Sequence, residues 1–454
     1  MWLRQQFFAR DLSRVIRSLT QCCLASVGLE GGQYRYFSNI TQGGPLAGIR
    51  IIDLTRILAG PFATMVLSDL GAEVIKVERP GKGDETRSWG PPFLATESCY
   101  FLSVNRNKKS IVVDLKHPDG VSVIHDLVQQ SDVLIENYVP GVLDRLGIGY
   151  DALQSRSPGL IYCTISGYGS SGPYKNRPGY DVMAASVGGL INVTGSENGE
   201  PCKVGVAMTD LATGLYAHGA IMAALLERQK TGLGQKIDCN LLSTQVSCMV
   251  NLASNYLNGG KEAKRWGTAH ESIVPYEAFP TSDGYISIGA GSNELFSTLC
   301  HALNLSELLS DERYSTNALR VKNRSSLIKT LQCSFQNKTT QEWLEILDGC
   351  PVPYAPINKL SEVFSDPQVV HNRMVEDIEH ESVGKIKQVA PAVTFSALEN
   401  RIRKYSTYSI YRPPYTLMLP ESQVKLKVYG VVVRPKVGGV QEPSVLAHNL
   451  SSGT

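Results

Sequence analysis

From Gly48 onward the apolar positions follow two alternating patterns. Short apolar runs predict strands: "IRIIDL" (49–54) reads as a buried one, and "EVIKVE" (73–78), "KSIVVDL" (109–115), "DVLIEN" (132–137) and "LIYCTISGYG" (160–169) as further strands. Between them, "PFATMVLSDLGA" (61–72) and "GVSVIHDLVQQ" (120–130) carry helical spacing. Strand and helix in repeated alternation predict an α/β fold: a Rossmann-like parallel sheet with helices on both faces. Ligands of such sheets bind beyond the carboxyl ends of the strands. A longer helix is predicted within 204–235, with Leu211, Leu215, His218, Met222, Leu225 and Gln229 as the stripe facing a core.

After about residue 236 the pattern changes. Pro275, Pro280 and Asp283-Gly284 are turn signals ahead of a strand at 285–289. A smaller α+β domain is therefore expected over 236–335, following a large domain whose first part spans 45–235. The chain is expected to return to the large domain over 336–396. From 397 to 454 the sequence is rich in Tyr, Pro and Val without a helical period, and a poorly ordered tail is expected.

The chain has 454 residues, 43% hydrophobic and 19% charged, with a net charge of +2. That balance gives no reason to expect nucleic acid as a partner. No apolar run approaches the ~18 residues of a membrane span. The ten cysteines lack metal-ligand spacing, so no metal site is expected and the thiols read as packing residues. The first 37 residues hold Arg4, Arg10, Arg14, Arg17 and Arg35 against Asp11 and Glu30. An Arg-rich, acid-poor, amphipathic start has the form of a mitochondrial transit peptide, with cleavage after Phe37 and a matrix location; a basic tail is the plainer reading.

Asp210 stands just ahead of the apolar stripe in "VGVAMTDLATGL". Taken locally, it is a helix cap accepting bonds from free N–H groups. Basic and polar residues follow several strands: Arg79, Lys116, Asn137, Tyr138 and Arg145. Ile57 and Leu58 occupy the first strand–helix turn. Gly167, Gly169 and Gly172 match no phosphate-binding spacing and read as a strand-end turn.

Six segments in order resemble the family III CoA-transferases, a group with formyl-CoA and carnitine CoA-transferases and a racemase relative. They are 45–87, "NRNKKSIVVDLKHPDG" (105–120), "DVLIENYVPGVLDRLGIGYDAL" (132–153), "SGYGSSGPYKNRPGYD" (166–181), "VGVAMTDLATGL" (204–215) and "ERQKTGLGQKIDCNLL" (227–242). The resemblance covers roughly 45–395. It implies that Asp210 is a nucleophile forming a mixed anhydride and then an enzyme–CoA thioester. It further implies no permanently bound cofactor, with a coenzyme A thioester as co-substrate. Ile57, Leu58, Arg79, Lys116, Asn137, Tyr138 and Arg145, or their neighbours, would hold CoA. It also implies an interlocked homodimer of ring-shaped chains.

A carboxylate suits such transfer because the thiolate it displaces is a good leaving group. A helix N-terminus would favour the ionised acid. The racemase relatives carry Gly-His-Asp where this chain has Gly179-Tyr180-Asp181, so the second acid/base group needed for α-carbon racemisation is missing. Asp181 reads as a cap for a helix over 182–190. A small dicarboxylate acceptor is expected, with Arg56 or Arg177 as fork for its distal carboxylate. His270 is a weaker candidate for acyl contact. A racemase and a non-catalytic CoA-binding protein remain the alternatives.

Overall fold

The computed structural model describes residues 44–380 and 383–396. The expected transit peptide and the 397–454 tail lie outside the described residues. The first body opens with β1 (Arg50–Asp53), α1 (Ala59–Asp69), β2 (Glu73–Glu78) and β3 (Lys108–Val112). It continues with α2 (Pro118–Gln129), β4 (Val133–Glu136), β5 (Ile161–Ser166), α3 (Asp181–Val187), α4 (Met208–Thr231) and β6 (Lys236–Asn240). These six strands form one sheet in the order β3-β2-β1-β4-β5-β6, every pairing parallel. The order reverses between β1 and β4, which makes the crevice at their carboxyl ends the expected ligand position.

Burial explains why the strand runs are so uniformly apolar. All four residues of β4 and all six of β5 are buried, as expected of a parallel sheet covered on both faces. Ile51, Val133, Ile135 and Cys163 pack on the face of α1 and α4. Ile52, Leu134 and Tyr162 point to the opposite face with Ile124 of α2.

The inward stripe of α4 differs from the expected one. The buried positions are Thr209, Thr213, Gly214, Ala217, Ile221, Ala224 and Leu225. Leu215 is 49% exposed, and Tyr216 and Leu226 are also exposed. The reason is size. A Cβ on Gly214 would lie 2.7 Å from the Ala59 carbonyl oxygen, so α4 meets α1 through small residues and turns larger ones outward.

The large body also extends past the expected boundary at 235. Strand β6 closes its sheet, and Leu241, at the start of α5 (Leu241–Ser247), belongs to its core. After α6 (Val250–Gly259) a second core runs from Val274 to Val352. It holds the antiparallel strands β7 (Tyr276–Pro280), β8 (Tyr285–Gly289) and β9 (Tyr354–Pro356) with α7 (Asn293–Ala302), α8 (Arg324–Phe335) and α9 (Thr340–Leu347). Phe279 and Phe335 stack with centroids 4.9 Å apart, and Trp343 Nε1 donates to the Phe335 carbonyl at 2.7 Å. A final hairpin, β10 (Val375–His380) and β11 (Gly384–Val389), packs Ile378 and Ile386 on Leu102 of the large body. Arg106 Nη1 fixes it there through the Val389 carbonyl at 2.8 Å.

Candidate active site

The turn joining β1 to α1, residues 54–58, has nearly every backbone group assigned. The Leu54 N–H donates to the Ile135 carbonyl. The Thr55 N–H donates to Asp53 Oδ1 at 2.9 Å. Asn137 grips Arg56 from both sides: its Oδ1 accepts the Arg56 N–H at 3.0 Å and its Nδ2 donates to the Arg56 carbonyl at 2.8 Å. The Ile57 N–H lies between both Asp84 carboxylate oxygens at 3.2 and 3.3 Å. Ile57 itself has φ +73°, a left-handed conformation that a β-branched residue adopts only under constraint.

This turn forms one wall of a cleft of about 200 Å³ at the switch point of the sheet. Asn137, Tyr138, Val139 and Pro140 enter from the end of β4, and Ser166, Gly167 and Tyr168 from the end of β5. Lys175, Arg177 and Tyr180 come from the loop before α3, and Asp210 from the first turn of α4. Gly167 and Gly179 make the crossing of two of these loops possible. A Cβ on either would come within 2.7 Å of the other's Cα.

Asp210 is not the cap of its helix. The cap position is Ala207, which has no side-chain capping bond. Asp181 Oδ1 instead accepts the Asp210 N–H at 3.0 Å. Asp181 therefore serves the mouth of α4 and not that of α3, whose cap residue Tyr180 makes no side-chain capping bond. Burial first, and the neighbouring Asp181 charge second, push the Asp210 carboxyl up to about 7. The expected preference of the helix mouth for the ionised form is thus outweighed. Tyr100 lies close enough to feel the same acids; burial, and then Asp210 and Asp181, raise its phenol. Leu58, Met65 and Val104 form the apolar patch beside it, with Ile57, Tyr100 and Leu211 packed on its margin.

Beneath the turn lies a second set of buried charges. Lys108 Nζ is 3.2 Å from Asp53, and Lys76 Nζ is 2.9 Å from Asp84 and 2.8 Å from the Thr55 carbonyl. Burial alone would raise the Asp53 carboxyl; Lys108, Lys76 and the Thr55 and Thr64 hydroxyls override it and hold it at about 2. Glu78, buried on β2, is paired to Arg87 Nη2 at 2.7 Å.

The sequence-derived candidates divide accordingly. Arg56, Ile57, Leu58, Asn137, Tyr138, Arg177 and Asp210 meet in the cleft. Arg79 is outside its lining but shares Glu85 with Arg56, at 2.8 and 2.7 Å. Lys116 and Arg145 are exposed and away from the lining, since each projects from a loop or short helix on the surface. His270 is also outside it: its Nδ1 accepts the Ser272 N–H at 3.1 Å, and its ring meets Tyr276 edge-on. Sequence reasoning passed over Tyr100, Glu85, Lys175 and Asp84. Asp84 and Glu85 sit in "GKGDETR", where two adjacent acids between two basic residues were the available signal.

Comparison with known proteins fixes the class. A model of CoA-transferase family III matches residues 46–406, and the chain belongs to that family. It is a CoA-transferase. It is 56% identical to a human succinyl-CoA:glutarate CoA-transferase, over 84% of this chain and 88% of that one. It is 57% identical to the mouse protein of the same name, over 81% and 86%. The solved structure of a CAIB/BAIF family protein from Brucella suis superposes with a TM-score of 0.74 at 41% identity, covering 81% of this chain and 96% of that one.

Proposed function

We propose that the chain moves CoA from succinyl-CoA to a small dicarboxylate, glutarate in the first place, with Asp210 as nucleophile. Like exchange at a thioester needs no other energy source. An Asp210 oxygen attacks the succinyl carbonyl carbon, the C–S bond breaks, and CoA leaves as thiolate. The thiolate attacks the aspartyl carbonyl of the mixed anhydride and releases succinate, leaving an aspartyl–CoA thioester. Glutarate attacks that carbon and displaces the thiolate. The thiolate then takes the glutaryl carbonyl, giving glutaryl-CoA and free Asp210.

The observation that carries this reading is the state of Asp210. It lines the cleft, is not the cap residue of its helix, and among the described residues no cation lowers its carboxyl. Poorly solvated carboxylates of raised basicity are the better nucleophiles. CoA would enter over Ile57, Leu58, Asn137 and Tyr138, and its phosphates would find Arg56 and, at the rim, Arg79. Lys116 and Arg145 remain surface contacts for its nucleotide end. Arg177, stacked on Tyr174 at 3.8 Å, is exposed at the cleft and suits the distal carboxylate; Arg56 is already paired to Glu85.

The reading includes a homodimer of interlocked rings and a matrix location. Exposed Leu215, Tyr216 and Leu226 on α4, with Val250 and Leu257 on α6, supply an apolar surface for the second copy. Relatives named for glutarate in human and mouse support the acceptor. The test is incubation of the purified chain with succinyl-CoA and glutarate: glutaryl-CoA should form without net loss of thioester. An Asp210→Ala variant that still exchanges CoA removes the nucleophile assignment, and deuterium uptake at an α-carbon would favour racemisation.

A further inference from the structure

The cleft contains one backbone position that the sequence would not adopt by preference, and a buried acid holds it there. We propose that Asp84 is a positioning residue for CoA transfer, keeping Ile57 left-handed so that the β1–α1 turn walls the cleft beside Asp210. Asp84 is 1% exposed and does not line the cleft. It acts through the turn, by taking the Ile57 N–H on both oxygens.

Its own position is over-determined. Asp84 Oδ1 accepts the Thr86 N–H at 3.0 Å and the Thr86 hydroxyl at 2.8 Å. The Asp84 N–H donates to Glu78 Oε2 at 2.9 Å. Lys76, paired to Asp84, also donates to the carbonyl of Thr55, two residues before Ile57. One buried ion pair therefore grips the turn at two points. A constrained φ at a β-branched residue persists only where its surroundings fix it. Without Asp84, Ile57 relaxes to negative φ. The flanking peptide planes then rotate, and they carry Arg56 and Leu58, both cleft residues.

The inference rests on the transfer reaction and not on which residue is the nucleophile. Glycine adopts positive φ without strain, so the effect of losing Asp84 should depend on what stands at position 57. The experiment is a double-mutant cycle on the full chain, reading kcat/KM for succinyl-CoA and glutarate together with the melting temperature. Asp84→Ala should lower kcat/KM at least tenfold in the Ile57 background and less than threefold in the Ile57→Gly background. Equal fold losses in the two backgrounds overturn the proposal, whatever the melting temperatures. Where Asp84→Ala does not fold, Asp84→Ser takes its place; its hydroxyl still serves Thr86 and is too short for the Ile57 N–H. The same coupling is then required, and its absence is equally fatal. The identity of the nucleophile is read separately, from the covalent adduct, so the two readings fail independently.

Discussion

Two sets of acids lie on either side of the β1–α1 turn, one buried and one half-buried at the cleft, and they are built to opposite ends. Asp53 and Asp84 are surrounded by Lys76, Lys108 and hydroxyl donors. Asp181 accepts the Asp210 backbone N–H, and its charge adds to the effect of burial on the Asp210 carboxyl. Burial penalises the ionised form in both places. In the first, cations reverse the penalty and Asp53 titrates near 2; in the second nothing does, and Asp210 titrates near 7. Charge that is fully matched fixes a backbone. Charge left unmatched in a cleft is available for a reaction.

The largest effect should come from removing the unmatched acid. Asp210→Asn should lower kcat by at least about 10³-fold in the glutarate assay, because the other carboxylate lining the cleft, Glu85, is already engaged by Arg56 and Arg79. The same variant should be more stable than the parent at high pH. A carboxyl raised from 3.8 to about 7 holds its proton in the folded chain between those values, so folding stability falls as pH rises through that window. Melting curves at pH 5 and pH 8 should show the Asn variant gaining roughly 1–3 kcal/mol on the parent between the two.

Breaking the matched set should act on stability first. Lys76→Met leaves Asp84 and Asp53 facing the core without that cation, and denaturant titration should show a loss of about 3–5 kcal/mol. The sign for Asp53 is opposite to that for Asp210. Its contribution is present above its unfolded value of 3.8 and is lost as pH falls through about 2. A Lys76→Met chain of unchanged stability would dissolve the contrast between the two sets.

A smaller change sharpens the comparison. Asp181→Asn keeps an oxygen for the Asp210 N–H and removes the like charge. The ascending limb of the kcat/KM–pH profile, set by ionisation of Asp210, should move to lower pH by roughly 0.5–1 unit. A limb that stays in place would mean that Asp181 adds nothing to the effect of burial. Smallest of all, Arg177→Ala should raise the KM for glutarate by roughly three- to tenfold with kcat nearly kept.

Much of this was legible in the chain. Strands β1 and β4 were readable because burial on both faces leaves short apolar runs, and β2 from its Val74, Ile75 and Val77 in spite of the buried Lys76 and Glu78. The cleft residues at strand ends followed from the sheet. The inward face of α4 was not readable from hydropathy, because Gly214 and Ala217 were selected for closeness and not for apolar area. The roles of Asp181 and Asp84 were hidden for a different reason. Asp181 meets the Asp210 N–H across 29 residues of sequence, and Asp84 meets that of Ile57 across 27. Only the folded chain brings such partners together.

The central claim is that Asp210 becomes covalently acylated. The direct measurement is to mix the enzyme with succinyl-CoA, quench with hydroxylamine, and map the peptides by mass spectrometry. A hydroxamate on Asp210 that appears only with the donor present is the predicted result. Glutaryl-CoA formation with Asp210 unmodified, or with the hydroxamate on another side chain, would contradict it.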